Sequence, residues 1–135
     1  MSTFTRENYE ALIYSLARRY PEITLSTLEL YTKSRTTAII KGSIYFQSGL
    51  ELRVFEYIDL SDGEILDYGY TLFQGEKKIR WYDPQPHPEN SALKATFPHH
   101  YHEEPNIKKN RKLAYGISFE APNLLTVIDD CLKLG

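Results

Sequence analysis

Between Ile23 and Asp83 the apolar side chains return at every second position, while on either side of that stretch they return every three or four. The first period is that of a strand with one buried face, the second that of a helix packed along one stripe. Near the N-terminus Tyr9, Leu12, Ile13, Leu16 and Tyr20 form such a stripe. Thr5 is placed to cap that helix, Glu7 stands in its first turn, Arg18 and Arg19 suit its negative end, and Pro21 stops it. Near the C-terminus Asn123 is placed to cap a second helix over Leu124–Leu134, with Leu124, Val127, Ile128, Cys131 and Leu132 inward.

The alternating stretch predicts strands at Ile23–Thr32, Thr37–Phe46, Leu50–Asp59, Ile65–Phe73 and Lys78–Asp83. Their connections, Gln47-Ser48-Gly49, Ser61-Asp62-Gly63 and Gln74-Gly75-Glu76, are short enough only for antiparallel neighbours. The expectation is an α+β fold over residues 1–135 as a single domain: an antiparallel meander of about five strands with an N-terminal and a C-terminal helix. Alternation sorts the faces. Ala38, Ile40, Ile44 and Phe46 share a side, as do Leu50, Leu52, Val54 and Ile58, and as do Leu66, Tyr68, Tyr70 and Leu72. Arg80 and Tyr82 oppose Ile79, Trp81 and Asp83. One face is apolar enough to take the first helix, and the other is polar and aromatic. Glu56 falls on the apolar side, where a carboxylate is costly to ionise; its pKa should rise, or an arginine or tyrosine should meet it.

Composition narrows the classes. Of 135 residues 25% are charged and 41% hydrophobic, and the net charge is −2. No global basic field advertises nucleic acid, so such a site would be a local patch. The one cysteine, Cys131, allows no internal disulfide, no apolar run reaches membrane-spanning length, and the first ten residues are polar and acidic. A cytoplasmic protein without a membrane segment is expected.

Chemistry concentrates in Ile79–Glu104, which holds all four histidines, the only tryptophan and four of the seven prolines. In an extended His99-His100-Tyr101-His102, His100 and His102 point one way and His99 and Tyr101 the other. Such imidazoles suit general acid–base catalysis near neutrality. Metal binding by the H-x-H pair with Glu103, Glu104 or Asp83 is a second reading, and a solvated run of surface histidines is the plain one. Arg80, beside Tyr82 and Asp83, and Arg53 can each clamp a phosphate or sit in a surface ion pair. Lys108, Lys109, Arg111 and Lys112 can contact nucleic-acid phosphates or form a solvated loop. Strand tyrosines, Tyr68 among them, can stack unpaired bases or are simply good strand formers.

The order L-E-L-R-V-F-E-Y-I-D-L-S-D-G-E-I-L-D-Y-G-Y, then I-R-W-Y-D-P-Q-P-H-P-E, then F-P-H-H-Y-H resembles the TumE family of toxins from bacterial toxin–antitoxin systems. The likeness covers about Leu50 to the C-terminus, and the tandem of Y-D-x-x-P-H-P-E with F-P-H-H-x-H is its specific part. It implies a small cytoplasmic toxin with ribonuclease-type activity, neutralised by a cognate antitoxin that is typically a small helix-turn-helix protein. Family members often carry P-H-H-P-E where this chain has Pro86-His87-Pro88-Glu89, which puts one acid or base in doubt. The clustered histidines with an arginine point to RNA cleavage without metal or cofactor. In it His99 or His100 activates the ribose 2′-hydroxyl and His102 or His87 protonates the leaving oxygen. Arg80 and Arg53 hold the phosphate, Tyr82 orients it, and Asp83 and Glu56 stand nearby. The rivals are a non-enzymatic protein that contacts an antitoxin or nucleic acid through its polar aromatic face, and a metal-dependent nuclease using Glu56, Asp83 and the H-x-H pair.

Overall fold

The computed structural model describes residues 5–84, 99–103, 111–113, 117 and 122–134, with 99–103 and 111–113 described by backbone and register alone. Two short helices, α1 (Arg6–Tyr14) and α2 (Leu16–Arg19), precede eight strands: β1 (Ile23–Ser26), β2 (Glu29–Thr32), β3 (Thr37–Phe46), β4 (Leu50–Asp59), β5 (Glu64–Gln74), β6 (Lys77–Pro84), β7 (His99–Glu103) and β8 (Arg111–Leu113). Helix α3 (Leu124–Leu132) follows. The strands form one antiparallel sheet in the order β1-β3-β4-β5-β6-β7-β8, with β2 on the other half of β3. The α+β class and the terminal helices are as the sequence predicts. The sheet is wider than the expected meander because the first strand divides and β7 and β8 extend it past β6.

The N-terminal helix starts where expected. The Thr5 hydroxyl accepts the Asn8 amide at 3.1 Å, satisfying one of the orphan donors of the first turn. It breaks at Ser15, whose hydroxyl competes for the Leu12 carbonyl at 3.2 Å. Tyr9, Ile13 and Leu16 are nonetheless buried on one stripe across the break. In α3, Leu124, Val127, Ile128 and Cys131 are buried as predicted. Asn123 holds the cap position, yet its side chain makes no capping hydrogen bond there. It is buried and bonded to the Tyr70 side chain instead.

The inward faces of β3 and β4 follow the alternation residue for residue. In β5 the expected face is corrected. A bulge opposite Tyr57 and Ile58 turns Ile65 inward, 2% exposed, and Leu66 outward, 42% exposed. Ile117 is buried against this core; Tyr115 and Phe119, which alternate with it along the sequence, lie outside the described residues.

The split between β1 and β2 has a local cause. Thr27 donates its amide to the Ser43 carbonyl at 2.8 Å and accepts the Ser43 amide on its hydroxyl at 2.8 Å. The chain thereby crosses directly over Gly42, and Leu28 drops into the core. A Cβ on Gly42 would stand 2.6 Å from the Thr27 carbonyl oxygen, and φ there is +145°. We expect Gly42→Ala to cost about 1–3 kcal/mol. Urea denaturation checks this, and wild-type stability would mean that the crossing can shift aside.

Candidate functional site

The two faces of this sheet have different chemistry. Helices cover one. There Glu56 is fully buried, and its carboxylate accepts hydrogen bonds from the hydroxyls of Tyr9 on α1 and Tyr70 on β5. Burial lifts its pKa to about 7, against the opposing pull of the two hydroxyls. Burial and the neighbouring Glu56 likewise push both tyrosines well above their usual range. Both outcomes that the sequence allowed for Glu56, a raised pKa and tyrosine partners, therefore occur together.

Further along the same face, the Tyr82 hydroxyl donates to an Asp130 carboxylate oxygen at 3.1 Å and Arg80 reaches the Tyr82 hydroxyl at 3.4 Å. Tyr82 is fully buried and Arg80 half-buried. Tyr68, stacked on Tyr70 with ring centres 5.3 Å apart, is buried as well. Within this face Glu56 and Tyr82 join the helices to the sheet through Tyr9 and Asp130. A macromolecular substrate does not reach Glu56 or Tyr68, since both are buried.

The opposite face carries exposed or half-exposed rings with cations laid over them. Arg53 stands 4.1 Å from the Phe73 ring centre, Lys78 4.5 Å from that of Trp81, and Lys41 5.7 Å from that of Tyr31. Arg53 also donates to Glu51 at 3.0 Å, so the surface ion pair foreseen for it exists. Against burial, which acts the other way, hydrogen bonds from Ser43 and Arg53 hold Glu51 below the usual carboxylate range. Phe55 is 38% exposed and Tyr31 44%.

Register extends this face to β7 and β8. His100 lies opposite Asp83 and His102 opposite Trp81, while Arg111 lies opposite His102. Directly paired residues share a face. One transverse row is therefore Ser43, Arg53, Thr71, Trp81, His102 and Arg111. At the strand spacing of a sheet it spans roughly 24 Å. His99 pairs with Pro84, Tyr101 with Tyr82 and Glu103 with Arg80, which places all three on the helix-covered side.

The sequence-derived site thus divides. By register His100, His102, Asp83, Arg53 and Arg111 fall on the open face. Arg80, Tyr82, Glu56 and Tyr68 fall on the covered one, with His99 at that register. His87, Lys108 and Lys109 lie outside the described residues. Sequence reasoning did not count Lys41, Phe55, Phe73 or Lys78 among the site residues; strand parity puts the first three on the open face, and Lys78 joins them through the register shift between Leu72 and Phe73. It also missed Tyr9, Asn123 and Asp130, whose approach to the sheet no local pattern encodes. Among the described residues the one carboxylate cluster with metal-ligand spacing is Asp59, Asp62 and Glu64, at the β4–β5 turn and remote from the histidine strand. An Asp59 oxygen there already accepts the Ser61 and Asp62 amides at 2.8 and 3.1 Å.

The Glu56 cluster makes stability depend on pH. An exposed glutamate releases its proton near pH 4.3, while folded Glu56 holds it to about pH 7. The folded state therefore binds the extra proton between those values. The stability this confers is complete below about pH 4.3 and declines as pH rises to about 7, then stays level. Glu56→Gln should flatten that decline, since an amide meets the same hydroxyls without charge. Glu56→Ala should cost about 1–3 kcal/mol for each hydroxyl stranded in the core. Urea melts of the variants from pH 5 to 8 check both, and an unchanged slope in Glu56→Gln would overturn the assignment.

No helix among the described residues is long and apolar enough to cross a membrane. Neither a search of curated proteins nor one of solved structures gives a match. The family model described as Toxin TumE matches residues 13–134, from the end of α1 to just past α3. That span takes in the whole sheet, both of its faces and the histidine strand, and the chain belongs to the TumE family of toxins.

Proposed function

We propose that this toxin acts on RNA, holding an unpaired strand against the open face of the sheet and cleaving it beside β7 by metal-independent acid–base chemistry. The observation that carries the reading is the face that no described helix covers, with aromatic rings interleaved with Arg53, Lys41 and Lys78. Rings of this kind stack bases without regard to sequence, and cations between them meet phosphates. A net charge of −2 fits a local patch better than a general affinity for polyanions.

His100 and His102 stand two positions apart on one strand, roughly 7 Å along it. This separation suits a base on one side of a phosphodiester and an acid on the other. His100, opposite Asp83, removes the proton from a ribose 2′-hydroxyl, and the oxygen attacks the adjacent phosphorus. The bond from phosphorus to the 5′-oxygen breaks, His102 gives that oxygen its proton, and a 2′,3′-cyclic phosphate remains. Arg111, opposite His102, is placed for the reacting phosphate. Arg53 is three strands from β7, roughly 14 Å, and serves a phosphate further along the chain. Arg80 and Tyr82, on the covered side, act by fixing β6 against Asp130 rather than by touching RNA.

The rival is a toxin that only binds, with the same face gripping RNA or a protein and the histidines acting as contacts. Alanine at His100 or His102 separates the two. Cleavage of a single-stranded RNA in chelator should fall about 10²- to 10⁴-fold while binding persists. Trp81→Ala and Phe55→Ala should instead weaken binding. Full cleavage by the histidine variants, or cleavage only with added divalent metal, would overturn the mechanism.

A further inference from the structure

A groove of about 660 Å³ runs between the α1–α2 arm and the start of α3, on the side of the helices turned away from the sheet. Its apolar lining comes from Ala11, Leu12, Pro122 and Leu125. Tyr14 forms one wall: its hydroxyl accepts the Leu30 amide at 3.2 Å, yet the residue remains 57% exposed. Arg18 and Arg19 close one end of the groove.

Those two guanidinium groups distinguish this groove from ordinary helix surface. Both are exposed, and among the described residues neither has a carboxylate within ion-pair distance. Close by, Arg6 pairs with Glu10 at 4.0 Å, and Asp129 accepts the Tyr20 hydroxyl at 3.0 Å. The stripe of α1 that faces the groove, Asn8, Ala11, Leu12 and Ser15, holds no acidic residue. The site is therefore apolar along its length and cationic at one end, and its complement is an apolar ridge that finishes in carboxylates.

We propose that this groove is the seat of the cognate antitoxin, which enters it as an amphipathic helix with acidic side chains against Arg18 and Arg19. The proposal rests on membership of a toxin family and is independent of the RNA reading, because it uses the face of the molecule remote from the open sheet. A helix presents anchors at i, i+3, i+4 and i+7 to a groove walled by other helices, and Ala11 leaves room for a close approach. The carboxylates supply charge complementarity, which sets orientation and salt sensitivity. A second copy of this chain is the competing occupant.

The test is calorimetric titration of the full-length toxin with the protein encoded by the adjacent small reading frame. The toxin variants are Arg18→Glu/Arg19→Glu, Ala11→Trp to fill the groove, and Phe55→Ala on the open face. Arg18, Arg19 and Ala11 are exposed, and unchanged urea melts confirm that the variants fold. Both groove variants should weaken antitoxin binding on the order of 30-fold, and Phe55→Ala should leave it within about threefold. In cells the groove variants should arrest growth even when the antitoxin is co-expressed. Four results would each overturn the proposal: no binding by the wild-type toxin, near-wild-type affinity of both groove variants, loss of binding in Phe55→Ala, or a groove change that alters only self-association. RNA cleavage does not enter this readout, so failure of the RNA reading and failure of this one are distinguishable.

Discussion

A buried carboxylate held by two tyrosine hydroxyls decides which side of this sheet is inside. Glu56 lies in the middle of a central strand, and Tyr9 reaches it from the first helix while Tyr70 reaches it from the next strand. Leaving Glu56 without partners in an apolar layer would be strongly unfavourable, whereas meeting it with two donors satisfies three polar groups at once. The arrangement also forces Tyr9, and with it the helix, to one register against the strands. Asn123 adds the start of the last helix to the same cluster through Tyr70. A core that was only apolar would give α1 a preferred face but a less definite position along it.

With both terminal helices committed to one face, no described helix covers the other. Strand parity then sorts residues that are neighbours in sequence into different environments. By register Trp81 shares the open face with Thr71, whereas Arg80 and Tyr82 face the helices. The same rule acts on β7, where adjacent histidines are assigned to opposite sides by their pairing with β6. A site imagined as a single convergence of imidazoles on Arg80 is therefore geometrically two sites. One is an outward row built on stacking rings and cations, the other an inward set that anchors β6 to α3 through Asp130.

Much of this could be read along the chain. The inward residues of β3 and β4, the helical stripes, the Thr5 cap and the short hairpin connections each depend on neighbours within a few positions. Glu56 announced itself as a polar residue on an apolar face. The failures have equally definite causes. The bulge at Leu66 reverses two residues because the partner strand, not the local sequence, sets where the extra residue sits. The first strand divides because Gly42, some fifteen residues downstream of the break, lacks the atom that would block the crossing.

The sequence alone determined the class of the fold, most of its core and the segment in which the histidines are gathered, because periodicity and turn residues act over a few positions and leave a direct imprint on composition. It determined the family as well, through the spacing of its histidine and proline motifs. Only the tertiary structure decided which candidates stand together. Pairing between β6 and β7 assigns His99, His100 and His102 their faces, helix docking meets Glu56 and Tyr82, and the α1–α3 groove arises between elements about a hundred residues apart in the chain. These are long-range contacts, and their physical cause is the need of each buried polar group to find its partner wherever the fold brings one.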